Sequence, residues 1–97
     1  MDIEGHEDFC LEGGQRVIRE HRPTILMEVN KPYYSARGVK LDERFLPLIP
    51  DRYSIYRHAD SIWRRIVSFN DCSNIDNVFL IPNERLNLES YKFFIVN

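Results

Sequence analysis

The sequence predicts an α/β fold whose sheet begins with a parallel strand and finishes with antiparallel ones. Three observations carry this. Apolar patterning runs in the order helix, strand, helix and then several strands. The hydrophobic period changes from helical to two near residue 52. With 97 residues, 43% hydrophobic and 29% charged, the chain suits one globular domain and is too short for two.

The first element is a helix from Glu7 to His21, with acids crowding its start, where the helix dipole favours them, and with Phe9, Val17 and Ile18 able to share a face. Gly13 and Gly14 in its middle each cost about 1 kcal/mol relative to Ala, so a bend between two short pieces is expected there. Arg22-Pro23 ends it, because a residue before proline is pushed out of the α region.

Thr24 to Val29 is a near-continuous apolar run of strand length, the pattern of a strand buried on both faces, with Glu28 as its anomaly. Residues Asn30 to Gly38 read as a loop from their Pro and Gly content, and Leu41 to Leu48 as a short amphipathic helix closed by Pro50. From Arg52, alternation places Tyr53 and Ile55 on one face and Ser54, Tyr56 and His58 on the other. A turn at Ala59-Asp60-Ser61 leads to an extended stretch from Ile62 to Phe69. After a polar loop comes the strand Asn77 to Ile81, ended by Pro82. The last six residues, Lys92 to Asn97, suit either a strand or a loosely held end.

Charge is uneven. The first twelve residues hold five acids and no Lys or Arg, whereas residues 52 to 65 hold four Arg against one Asp. That basic stretch interleaves Arg52, Arg57, Arg64 and Arg65 with Tyr53, Tyr56, His58 and Trp63. Such a pattern fits a nucleic-acid surface, but with a net charge of -2 the outer face of a β-hairpin is the better reading. Cys10 and Cys72 sit among apolar neighbours in no metal-binding spacing, and read as buried or half-buried free thiols, with one long-range disulfide as the alternative. No apolar run reaches the roughly 20 residues of a membrane span, and no basic-then-apolar segment opens the chain, so a cytoplasmic protein is expected.

The densest group of titratable side chains is Asp2-Ile3-Glu4-Gly5-His6-Glu7, where a strand end meets a helix start. Ligands of open α/β sheets bind at the carboxyl ends of strands, and Glu28 lies near the same end of the next strand. Carboxylates with one imidazole suit a general base acting on a hydroxyl. Glu7 and Asp8 read as first-turn residues that complement the dipole, and no metal site is expected.

That acidic turn, a helix carrying Leu11-Glu12-Gly13-Gly14, then Arg22-Pro23 and a strand containing Leu26-Met27-Glu28-Val29, resembles the FkbM-type S-adenosylmethionine-dependent methyltransferases from their fourth strand to their fifth. Tyr53 to Arg57, Ile62 to Val67, and Asn77-Val78-Phe79-Leu80-Ile81-Pro82 resemble the closing antiparallel strands of that fold. The resemblance covers residues 1 to about 85 and leaves 86–97 as a tail.

It implies the C-terminal half of a Rossmann-like class I methyltransferase sheet: strand end, helix, parallel strand, short helix and antiparallel closing strands. Asp2, Glu4 and Glu28 become the candidate catalytic acids, Asp2 also borders the cofactor, His6 becomes an acceptor contact, and Tyr33 and Tyr34, after the fifth strand of the resemblance, either contact the acceptor or cap the core. The implied cofactor is S-adenosylmethionine and the implied partner a small-molecule acceptor bearing a hydroxyl. The family's glycine-rich loop after its first strand and acid after its second have no counterpart here, and Gly13-Gly14 is mid-helix. The N-terminal cofactor-binding half is therefore expected to be missing, with Met1 an internal methionine of a longer frame, and the chain inactive alone. The alternative is a non-catalytic module that pairs through its first strand edge with its own copy or with a separate N-terminal half.

Overall fold

The computed structural model describes residues 6–59 and 61–88. Four helices, α1 (Glu7–Gly13), α2 (Gln15–His21), α3 (Lys31–Ala36) and α4 (Leu41–Phe45), accompany four strands, β1 (Ile25–Asn30), β2 (Tyr53–Ala59), β3 (Ile62–Ile66) and β4 (Ile75–Pro82). Short 3-10 turns follow α4 at Leu46–Leu48, precede β4 at Phe69–Asp71 and succeed it at Asn83–Asn87.

The strands form a sheet in the order β1-β4-β2-β3, and every pairing among the described residues is antiparallel. The parallel partner expected for β1 is not among those pairings. Because β4 lies between β1 and β2 and opposes both, β1 and β2 nevertheless run in the same direction, joined by a crossover that contains α3 and α4.

The expected bend falls at Gly14, which ends α1 and precedes α2. Continuity survives it, since the Gly14 N–H donates to the Cys10 carbonyl at 3.0 Å and the Ile18 N–H to the Gly14 carbonyl at 2.9 Å. The expected apolar face is wrong in part: Leu11 and Ile18 enter the core, while Phe9 and Val17 are half exposed. The break resets the helical phase, so a face drawn through both pieces does not hold. Helix α2 stops at Arg22, whose left-handed φ of 46° turns the chain before Pro23.

β1 is not buried on both faces. Met27 and Val29 are buried, but Leu26 is exposed and Glu28 half-buried, an alternation that leaves one face away from the core. Residues 30–38 hold a helix, not a loop. Asn30 caps α3 by accepting the Tyr33 N–H at 3.4 Å, Pro32 occupies a first-turn position that lacks a helical partner anyway, and Gly38 at φ 70° terminates the segment. The residues that suggested a loop are this helix's caps.

The main core gathers Leu11, Ile18, Met27, Val29, Tyr34, Phe45, Phe69, Val78 and Leu80 between the helices and one sheet face. Tyr34 meets Phe45 edge-on at 5.2 Å between ring centroids, and Phe45 meets Phe69 at 5.2 Å. Each such aromatic pair contributes about 1 kcal/mol beyond area burial. Phe69, expected at the end of a long second strand, instead sits in a 3-10 turn after β3 has ended at Ile66. On the other sheet face Tyr56 and Ile81 are buried with Trp63, Phe79 and Leu86 against them. Cys72 is buried and free as expected, whereas Cys10 is exposed. Asp60 of the β2–β3 turn, and the tail beyond Leu88, lie outside the described residues.

Candidate functional site

The acidic turn is the natural starting point, and Asp2 and Glu4 lie outside the described residues. His6 is exposed in front of α1, its ring 6.1 Å from that of Phe9. Glu7 and Asp8 stand in the first turn of α1, as expected, but they are buried, with exposures of 1% and 0%.

Both are held by partners from the segment after β1. The Tyr34 hydroxyl donates to Glu7 Oε1 at 2.6 Å. Burial, and then that hydrogen bond to a carboxylate, push the Tyr34 phenol well above its ordinary range. Asp8 accepts a fork from Arg37, at 3.0 Å on Oδ1 and 2.9 Å on Oδ2, and a third hydrogen bond from Arg44 Nε at 2.7 Å on Oδ2. Arg44 also reaches Glu12 at 3.1 Å. The two guanidiniums lie over the Phe9 ring at 4.6 and 5.4 Å, which explains an exposed Phe at this point. Burial alone would raise the Asp8 carboxyl, but the Arg37 and Arg44 hydrogen bonds and charges outweigh it and hold the group down at about 2.

This network joins α1 to α3 and α4, and its oxygens are occupied by the donors that fix it. Asp8 is a structural anion and not a base waiting for a proton. Sequence reasoning misses Arg37 and Arg44; the available signal is two arginines seven residues apart in the segment after β1.

The remaining candidates separate across the sheet. Tyr34 sits at 0% exposure in the main core with Met27 and Val29, whereas Glu28, alternating with those two along β1, faces the opposite side and stands across from Asn77 of β4. Tyr33 is 43% exposed on α3. The structure thus brings Glu7 and Tyr34 together, and does not place Tyr34 and Glu28 on one wall. Among the described residues no group of three or more His, Cys, Asp or Glu side chains could hold a metal ion, and no helix is long and apolar enough to cross a membrane.

The basic and aromatic hairpin is largely committed to packing. Tyr53 donates its hydroxyl to the Pro23 carbonyl at 2.7 Å, Tyr56 is buried, and Trp63 packs on Phe79 at 4.6 Å and on His58 at 4.9 Å. Arg57 pairs with Asp76 at 2.9 Å and also reaches Ser73 at 2.9 Å, leaving Arg52, Arg64 and Arg65 exposed.

Two concave regions border these elements. One, about 670 Å³ and wide open, holds Arg19, Arg22, Arg52 and Glu84. Arg22 spends itself there, on Glu84 at 2.7 and 3.1 Å and on the Asp51 and Arg52 carbonyls at 3.1 Å each. The other, about 380 Å³, opens beyond the carboxyl end of β1, between α3, the start of α4 and Asn70. The chain matches no protein-family model, and neither a curated protein nor a solved structure shows significant similarity to it.

Proposed function

We propose that this chain is the closing half of an S-adenosylmethionine-dependent O-methyltransferase of the FkbM type, which acts on a hydroxyl of a small acceptor once an N-terminal half completes it. The observation that supports this most is topological. β4 inserts between β1 and β2, so that two like-directed strands joined through helices are finished by antiparallel pairing. Antiparallel pairing of β2, β3 and β4 is what the resemblance implies for the closing strands.

In the complete enzyme the cofactor supplies an electrophilic methyl group, and the described residues do not form its cradle. β1 runs directly into α3, Gly14 is a helix joint and Gly38 a helix end, so no glycine-rich strand-to-helix loop is present among them. The cradle in this proposal belongs to the N-terminal half. This chain contributes carboxylates: Asp2, Glu4 or Glu28 orients the acceptor hydroxyl and takes its proton, and His6 and Tyr33 border the acceptor. The Asp8 network fixes the helix that follows the acidic turn in the sequence.

Isothermal titration of the 97-residue chain with S-adenosylmethionine is the test. No saturable heat in the micromolar range is expected. Micromolar binding by the chain alone overturns the proposed division of labour.

A further inference from the structure

We infer that the 380 Å³ cleft beyond the carboxyl end of β1 binds a small, neutral, polyhydroxylated molecule. Its position is the first reason: β1 passes into α3 at this cleft without an intervening loop, so a strand end and a helix fix one wall of it.

Rigidity is the second. Lys31 is fixed by its N–H on the Asn74 carbonyl at 2.7 Å and by its ammonium on the Asn70 carbonyl at 3.0 Å. Asp42 has both oxygens committed, Oδ1 to the Phe69 N–H at 2.7 Å and Oδ2 to the Ser68 hydroxyl at 2.6 Å. These bonds brace α3, α4 and the Phe69 turn around the opening. Such a frame is preformed and does not have to be ordered by its ligand.

The third reason is the chemistry left over. Val39 and Leu41 supply an apolar lining continuous with the core. Ser35, Lys40, Glu43 and Asn70 are exposed around it, and among the described residues their side chains hold no hydrogen bond or ion pair. They offer donors (Lys40, the Asn70 side-chain NH2), acceptors (Glu43, the Asn70 side-chain oxygen) and one hydroxyl that is both. A ring of hydroxyls, each donor and acceptor, with C–H groups between them, matches that mixture. Charge decides against an ion: Lys31 and Lys40 are offset by Asp42 and Glu43 in the same lining, so the cleft has no net field for an anion or a cation. Identifying the bound molecule as the methyl acceptor rests on the function proposed above; its binding does not.

The test therefore omits the cofactor. The full chain, labelled with ¹⁵N, is titrated separately with myo-inositol and with citrate, following amide resonances. Inositol is expected to shift Ser35, Lys40 and Asn70 with saturation at about millimolar concentration, the range for a ligand this small, and citrate to shift them only weakly. A Lys40→Ala/Glu43→Ala double variant, altered only at exposed positions, should weaken binding at least tenfold. An Arg16→Ala variant, remote and 88% exposed in its side chain, should bind like the parent. Shifts that never saturate, a preference for citrate, or a double variant that binds as well as the parent overturns the inference.

Discussion

Arginines hold two carboxylates in this molecule near the same low point, one in the interior and one at the surface. Asp8 is completely buried, and its carboxyl stands at about 2 because two arginines overcome a burial that pushes it up. Glu84 is exposed, and its carboxyl stands at about 2 because Arg22 grips it through Nε and Nη2 with little burial to oppose. Equal titration points conceal unequal structural stakes. Water replaces Arg22 when the outer pair breaks, but nothing replaces the arginines around Asp8.

The sharpest way to break this contrast is to remove the inner charge. Asp8→Asn keeps the shape but leaves Arg37 and Arg44 without their shared anion, and should cost on the order of 3 kcal/mol in urea unfolding. A loss no larger than that of the Glu84→Gln variant would erase the contrast. The pH profile probes both pairs. Both carboxyls are depressed from their ordinary values of 3.8 and 4.5, so their contribution is complete above about pH 5 and fades as pH falls through about 2. Asp8→Asn and Glu84→Gln should each flatten that acid slope, measured by thermal melts from pH 6 to pH 2.

Tyr34→Phe comes next. It removes the 2.6 Å hydrogen bond to Glu7 without altering the ring packing on Phe45, and is expected to cost about 2 kcal/mol, the worth of a buried bond to a charged group. Gly38→Ala, which forces a side chain into a left-handed φ of 70° at the end of α3, should cost about 1 kcal/mol by the same assay. Arg22→Ala should have a smaller effect that shrinks further at high salt, because its partner is solvated. Thiol chemistry gives the mildest probe: iodoacetamide should label exposed Cys10 in the folded protein, and Cys72, whose thiol is pushed up to about 11 chiefly by burial, only on unfolding.

Much of the fold was legible from local pattern. The Gly13-Gly14 bend, the stop at Arg22, the start of α4, the β2–β3 hairpin and β4 follow from period, proline and glycine, whereas α4 ends at Phe45 and passes into a 3-10 turn before Pro50. What failed shares one cause. Asn30, Pro32 and Gly38 belong equally to a loop and to the caps of a six-residue helix, and only the buried Tyr34 between them distinguishes the two. Glu7 and Asp8 misled in the same way, because acids opening a helix look alike whether they face water or two arginines some 30 positions along the chain. Pairing of β1 with β4 is likewise nonlocal, and the apolar run that suggested burial on both faces has Leu26 exposed. Of the candidate site, the sequence pointed to the carboxyl end of β1 but not to Ser35, Lys40, Glu43 and Asn70, whose individual residue types carry no signal until α3 and the Phe69 turn are brought together.

The proposal that this chain closes a methyltransferase is tested most directly by supplying the other half. Fusing the 97 residues behind the glycine-rich half of an FkbM-type methyltransferase should give a folded protein that binds S-adenosylmethionine at micromolar concentration in calorimetry, where neither half does so alone. A soluble, cooperatively melting fusion that shows no binding would contradict it.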